Sequence, residues 1–406
     1  MRDLTIRGRC FLAAGLAAIV SGVQVGERDF VQLGLLALFV PLGAWLVLRR
    51  TDRELWVRRE IEAARVEVGS TTEVVVKVGR SGVALGRRAG ALVLEERLPE
   101  GLGQPPQFVV ESLSSGEPTR LDYRIRAEQR GRFPIGPMHV RVADPTGMVD
   151  LHQVLPSTTT ILVTPRTEPL PALSLTGRWS GAGDHRTRDL LGSGSPDVTI
   201  REYRVGDDLR RVHWPSSARV SQLMVRREEQ QWQSRCTLLV DNRRRSHRGH
   251  GQASSLETGV SVAASLTRHL VGQDFDVRLI SATGDASTHG RHLGDQGADL
   301  SRQLERLALM GLSRVDQLDT RWVDERQQGG MLLAVLGHLD RVDREFLAGL
   351  AAAGAAAYAV VLDVEGWDRH STDAPPATEW LRSHGWKATT LRRGEPLTPS
   401  WLELAR

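Results

Sequence analysis

Two apolar runs open the chain. The first extends from Cys10 to Val25 and the second from Phe30 to Leu48. A bilayer-spanning helix needs about 20 apolar residues, and the second run has that length. The first is shorter and carries Ser21 and Gln24, which a locally thinned bilayer tolerates. Only Gly26-Glu27-Arg28-Asp29 separates them. The pattern therefore predicts a transmembrane helical hairpin over residues 1–50.

From Leu55 to Pro165 the period changes to two. Leu121, Tyr123 and Ile125 alternate with Asp122, Arg124 and Arg126, and Met138, Val140 and Val142 alternate with His139 and Arg141. Val74, Val76 and Val78 form a third comb. Alternation of this kind places apolar side chains on one face of a strand. Turn signals are read at Leu98-Pro99-Glu100-Gly101, Gly131-Arg132-Phe133-Pro134 and Asp144-Pro145-Thr146-Gly147. Short strands spaced by turns predict a β-sandwich over 54–168.

Residues 169–200 read as an irregular linker rich in Gly and Pro. Gly192-Ser193-Gly194-Ser195-Pro196 lacks the spacing of a nucleophile elbow, and no phosphate-binding loop is present. The pattern then becomes strand–helix alternation. Strands are predicted at 236–241, 275–280, 331–336 and 357–362, and helices at 256–271, 300–309 and 344–353, with Ser254 or Ser255 capping the first of these. Such alternation predicts an α/β domain over 201–406, with helices on both faces of a mostly parallel sheet. Ligand sites in such sheets lie beyond the carboxyl ends of the strands, which singles out Asp241 and Asn242.

Composition adds limits. The 406 residues are 40% hydrophobic and 25% charged, as expected of a multi-domain globular chain. Of 53 cationic residues only Lys77 and Lys387 are lysines, and 49 acidic residues interleave with them to leave a net charge of +4. Arginine-mediated nucleic-acid binding is therefore the weakest functional alternative. Cys10 and Cys236 each begin an apolar stretch and suggest neither a disulfide framework nor a metal cluster. Arg2, Arg7 and Arg9 precede the hairpin, and Arg49, Arg50, Arg53, Arg58 and Arg59 follow it. The positive-inside rule predicts an inner-membrane, multi-pass protein whose large C-terminal portion is cytoplasmic. A cleaved signal peptide followed by one span would leave that portion on the same side.

The densest chemistry lies between Arg201 and Glu229. Arg201, Glu202, Tyr203, Gly206, Asp207, Asp208, Arg210, Trp214, Ser217 and Arg219 form an interleaved charged and aromatic signature. Asp207 or Asp208 can cap a turn carrying Leu209 to Trp214. Trp214 supplies apolar area there, and Pro215 discourages the helix from continuing through Trp214. Three readings compete: a structural ion-pair network, a docking surface and a catalytic centre. No nucleophile pairs with His213, so it is read as a structural histidine, and no catalytic or cofactor-binding residue is assigned.

The signature, followed by a short strand ending in Asp241, resembles the family called domain of unknown function 58. The Gly131-Arg132-Phe133 and Asp144-Pro145-Thr146-Gly147 segments and the membrane hairpin are similar to the upstream part of that family. Pro215 stands where the family commonly has a lysine. The resemblance implies a von Willebrand factor A-like domain, and genetic company with MoxR-type AAA+ ATPases and membrane-bound transglutaminase-like proteins. Many A-type domains hold a divalent cation in an Asp-x-Ser-x-Ser loop. Here that loop reads Asp241-Asn242-Arg243-Arg244-Arg245, with arginines at both serine positions. A guanidinium has no acceptor lone pair and repels a cation. The loop is therefore read as a degenerate metal site in which Arg243 or Arg245 pairs with Asp241, and in which Asp285 or Asp340 could approach it. The leading expectation is a membrane-anchored cytoplasmic adaptor that binds a protein partner of the MoxR-type AAA+ ATPase class. The first alternative is a membrane-tethered hydrolase with a non-standard site near Asp241.

Overall fold

The computed structural model describes residues 3–52, 55–80, 92–111, 117–144, 146–172, 198–202, 214–220, 222–228, 235–285, 296–324, 330–352, 356–367 and 377–404. It divides into two compact units. One comprises Met1–Glu168, Arg248–Ser265 and Gly294–Leu312, and the other comprises Pro169–His247, Leu266–Leu293 and Ser313–Arg406.

The first unit begins with helices α1 (Ile6–Val25) and α2 (Arg28–Asp52). Thr5 caps α1, its hydroxyl accepting from the Gly8 N–H at 3.2 Å. Gly26 ends the helix with φ of 80°, a left-handed conformation that favours glycine. The two helices pack backbone to backbone. A Cβ on Gly15 would lie 2.9 Å from the Gly34 carbonyl oxygen, so no larger residue fits without separating them. Phe11, Leu16, Val20, Leu33, Leu36 and Phe39 point outward. Over 20 and 22 residues both helices are long and apolar enough to cross a bilayer.

Among the described residues ten strands follow: β1 (Leu55–Ile61), β2 (Arg65–Glu67), β3 (Thr71–Arg80), β4 (Leu92–Glu96), β5 (Gln107–Val110), β6 (Thr119–Arg126), β7 (Gly131–Ile135), β8 (Met138–Ala143), β9 (Asp150–Leu155) and β10 (Thr159–Thr164). They form sheets of order β1-β3-β6, β2-β10-β7 and β5-β4-β8-β9. The period-two combs become the core. Val74, Val76 and Val78 of β3 pack in one cluster with Leu92 and Leu94, Met138, Val140 and Val142, and Ile161 and Val163. Within that apolar region Arg59 is buried and donates to both Glu96 oxygens at 2.9 Å, and to the Ser157 carbonyl at 2.6 Å.

One turn expectation is corrected here. Gly131-Arg132-Phe133-Pro134 is strand β7, in register with β10 through Pro134 and Thr160. Strand β7 is an edge strand, where the missing proline N–H leaves no ladder bond unmade. Arg130, just before it, is buried and pairs with Glu257, while its guanidinium also donates to the Leu307 and Met310 carbonyls. The Asp144–Gly147 turn forms as expected. The Asp144 carboxylate accepts from the Val149 N–H at 2.7 Å and the Thr146 N–H at 3.0 Å, and Gly147 takes φ of 70°. This turn receives the start of the chain. Thr5 donates from its N–H to the Met148 carbonyl at 3.0 Å and from its hydroxyl to the Gly147 carbonyl at 2.7 Å.

The remaining elements are β11 (Val198–Glu202), α3 (Trp214–Val220), β12 (Met224–Glu228), β13 (Arg235–Val240), α4 (Ser255–Val271), β14 (Asp276–Ser281), β15 (Gly284–Asp285), α5 (Gln296–Leu309), α6 (Arg321–Asp324), β16 (Met331–Leu336), α7 (Arg341–Ala352), β17 (Ala356–Leu362), α8 (Thr378–Ser383), β18 (Lys387–Leu391) and α9 (Leu397–Leu404). Strands β11 and β12 form an antiparallel ribbon, so residues 198–200 of the expected linker are strand.

The main sheet has the order β15-β14-β13-β16-β17-β18. Its five longer strands are parallel and β15 is antiparallel. Helices lie on both faces. Leu239, Ala334, Ala359 and Ala388 are cross-strand neighbours in a cluster with Leu347 and Leu350 of α7 and Leu381 of α8. On the opposite face, Thr389 of β18 donates to Glu403 of α9 at 2.6 Å. Helix α7 starts three residues before the predicted position, because Asp340 and Asp343 exchange side-chain bonds with each other's backbone N–H at 2.9 and 3.1 Å. This reciprocal pair closes the first turn.

Candidate functional site

The strand order reverses between β13 and β16, where crossovers leave in opposite directions. The loop after β13 therefore opens at the place where open α/β sheets bind ligands. Asp241, Asn242 and Arg243 are all buried there. The Asp241 N–H continues the sheet by donating to the Val335 carbonyl at 3.0 Å. The Asn242 side-chain oxygen accepts from the Ala282 N–H at 3.1 Å, and its carbonyl accepts from the Ser313 N–H at 2.8 Å. His247 approaches the Asp241 carbonyl through Nε2 at 2.5 Å. The loop is thus held along its whole length.

Arg243 turns back over this loop. Its Nε and Nη2 donate to the two carboxylate oxygens of Asp241 at 2.9 and 2.8 Å. Its Nη1 donates to Asp343 at 2.6 Å and to the Asp316 carbonyl at 3.1 Å. The side chains of Arg243 and Asp241 are both fully buried. Burial opposes the charge on Arg243, but the bonds from Asp241 and Asp343 outweigh it and push its pKa up. The planar fork of arginine suits this bidentate geometry, which a lysine could not reproduce.

Arg245 takes a different set of partners. It donates to Asp340 at 2.6 Å and to the two Asp343 oxygens at 3.1 and 3.2 Å. Of the two arginines considered for Asp241, Arg243 is the one in contact. Asp340 reaches the network through Arg245 and Asp343, with no direct bond to Asp241. Burial tends to raise the Asp340 pKa, but the Asp343 N–H and Arg245 lower it overall. The side chain of Asp285 lies outside the described residues. Asp343, which the sequence reading did not select, joins both arginines. Its position three residues after Asp340 at a helix start was the available signal. Cys236 is buried in β13, and that burial pushes its thiol pKa up, away from nucleophilic chemistry.

The signature is described in part. Arg201 and Glu202 lie on β11, in register with Val225 and Met224. Tyr203, Gly206, Asp207, Asp208 and Arg210, with His213, lie outside the described residues, and so does the turn expected at Leu209 to His213. Ser217 ties α3 to β12, accepting from the Met224 N–H at 2.8 Å. Arg219 is exposed in the last turn of α3. One reading of this stretch is corrected. Helix α3 begins at Trp214 and runs through Pro215, which occupies its first turn, where a missing N–H costs no helical bond. Trp214 itself is 69% exposed.

Residues 199–291 match the model of the family described as protein of unknown function DUF58. An uncharacterized protein of Bacillus subtilis (strain 168), YeaD, is 23% identical over 320 residues, covering 75% of each chain. Solved structures give weak likenesses. A cohesin module of a Clostridium perfringens family 33 glycoside hydrolase is 12% identical, with a TM-score of 0.21 over 27% of this chain and 96% of its own. The CARDB domain of a Pyrococcus furiosus protein in complex with di-metal ions is 20% identical, with a TM-score of 0.21 over 27% and 92%. Scores this low carry no argument. The matched segment spans the β11–β12 ribbon, the Asp241–Arg243 loop and the strands to β15. In that segment the chain is similar to the DUF58 family of proteins of unknown function.

Proposed function

We propose that the chain is a membrane-anchored cytoplasmic adaptor or scaffold that binds a protein partner through its α/β domain. The observation that carries this reading is the exposure of Trp214. A tryptophan left 69% exposed in the most distinctive stretch of the chain, with Val220 and Leu223 also exposed nearby, provides the aromatic anchor that protein interfaces favour. The α/β domain is read as von Willebrand factor A-like, supported by the order β15-β14-β13-β16-β17-β18 with its antiparallel edge strand. The three sheets with a shared core are read as a β-sandwich. The apolar hairpin and its flanking arginines support a multi-pass anchor in the inner membrane with the rest of the chain inside. The resemblance to the family points to a MoxR-type AAA+ ATPase as partner. The bidentate hold of Arg243 on Asp241 argues against a hydrolase built on that carboxylate. Affinity purification from membranes tests the proposal. An ATPase recovered with the wild-type chain and lost with Trp214→Ala, at unchanged melting temperature, supports it. Recovery of no ATPase by the wild type, or equal recovery by both, counts against it.

A further inference from the structure

We infer that Arg7, Arg9 and Arg49, at one end of the hairpin, form a collar that binds the headgroups of anionic phospholipids. The inference rests on the bilayer-spanning reading of α1 and α2. Arg7 and Arg9 lie in the first turn of α1, and Arg49 lies near the end of α2, so all three belong to one end of the hairpin. All three are exposed. Asp3 lies at the Arg49 side of this group. It accepts from the Trp45 indole N–H at 3.3 Å and lies 3.8 Å from Arg49, whose guanidinium is stacked 4.4 Å over the Trp45 ring. Arg9 donates from Nε to the Leu4 carbonyl at 3.2 Å. At the other end of the hairpin the turn carries Glu27 and Asp29 against Arg28, the opposite balance.

The collar is also held at a set depth. Thr5 caps α1 while bonded to Gly147 and Met148, and the Asp150 N–H donates to the Asp3 carbonyl at 2.9 Å. A Cβ on Gly8 would overlap the Met148 carbonyl oxygen, so the first turn of α1 lies directly against the Asp144–Gly147 turn with no spacer. Arg7 lies one helical turn, about 6 Å, before Phe11, from which the outward apolar surface continues through Leu16 and Val20. Guanidiniums beside an indole at the edge of an apolar band suit the phosphate level of a bilayer.

The test uses the full chain and two matched variants, Arg7→Gln/Arg9→Gln/Arg49→Gln and Arg120→Gln/Arg124→Gln/Arg126→Gln. The second removes the same charge from strand β6. Each is floated with phosphatidylcholine vesicles and with vesicles containing phosphatidylglycerol, and the lipid retained after mild detergent extraction is measured. Selective retention of phosphatidylglycerol is expected for the wild type and the β6 variant. The collar variant is expected to lose about fivefold in that selectivity for each arginine removed. Flotation in both vesicles without selectivity, or equal loss in both variants, overturns the collar alone. Failure to float with either vesicle overturns the spanning reading and the collar together. Inorganic phosphate that displaces the retained lipid at millimolar concentration reassigns the site to free phosphate and overturns the lipid inference.

Discussion

Arg243 grips Asp241 with both ends of its guanidinium fork at 2.9 and 2.8 Å, and neither side chain is exposed. A third nitrogen of the same fork holds Asp343, 100 residues later in the chain. The pair thus joins the end of β13 to the first turn of α7. Breaking a buried pair leaves an uncompensated charge and costs roughly 3–5 kcal/mol. Asp241→Ala and Arg243→Ala are each expected to destabilise the chain by about this amount. The combined variant is expected to cost less than the sum of the two. Denaturant melting of the three variants, analysed as a double-mutant cycle, checks both statements. Additive losses contradict the coupling.

The acid limb of stability has a source in Asp144. Burial tends to raise its pKa, but the Thr146 hydroxyl and the backbone N–H groups of Val149 and Thr146 outweigh it and hold the carboxyl below its ordinary value of 3.8. A depressed pKa in the folded state gives stability that is present above the unfolded value and lost as pH falls through the folded one. The wild type is expected to lose stability as pH drops below 3.8. Asp144→Asn should be less stable near neutrality and flatter across that acid range. Melting temperature against pH for the two proteins decides. Parallel curves remove Asp144 as a contributor.

The hairpin depends on close backbone approach at Gly15 and Gly34. A Cβ at Gly34 would lie 2.7 Å from the Gly15 carbonyl oxygen, whereas one at Gly43 meets nothing within 4 Å. Gly34→Leu is expected to separate the helices at an overpacking cost of about 1–3 kcal/mol, and Gly43→Leu to leave them in place. Disulfide crosslinking between a cysteine on α1 and one at Ala37, which lies against Gly15, reports the spacing. Unchanged crosslinking in Gly34→Leu contradicts the packing.

Arg130 provides a fourth test. It is buried beside Glu257 and also meets the carbonyls of Leu307 and Met310, using several faces of one guanidinium. A lysine presents a single ammonium on a flexible stem and cannot serve these partners together. Arg130→Lys is expected to lose most of the stability lost by Arg130→Ala, roughly 3 kcal/mol. Full recovery of stability by the lysine variant in thermal melting contradicts the forked geometry.

Much of the secondary structure was legible in the pattern of side chains. The combs at Val74–Val78 and Met138–Val142 became buried strand faces, and the apolar runs at Cys236, Met331 and Ala357 became strands of the main sheet. The misreadings have local causes. Gly131-Arg132-Phe133-Pro134 carries the residues of a turn, yet it is an edge strand, because only one side of it needs ladder donors. Strand β18, Lys387–Leu391, and helices α8 and α9 were not predicted. All three segments are short, at five to eight residues, too few to establish a period, and pairing with β17 makes β18 a strand. Trp214 reads as a source of apolar area by residue type, but nothing in its neighbourhood of the chain could show that the fold leaves it exposed.

The sequence by itself determined the hairpin, the change from period two to strand–helix alternation, and the presence of arginines where a cation-binding loop would need acceptors. These depend on side-chain type and spacing, which local physics turns into helices, strands and charge. Only the tertiary structure decided which arginine meets Asp241, that Asp343 completes the network, and that the Asp144 turn receives the start of α1. The first joins residues two apart and the other two join groups far apart in the chain, yet each is a contact that local spacing leaves open. Its partners are set by strand register and loop path, and those follow from burial of the whole core.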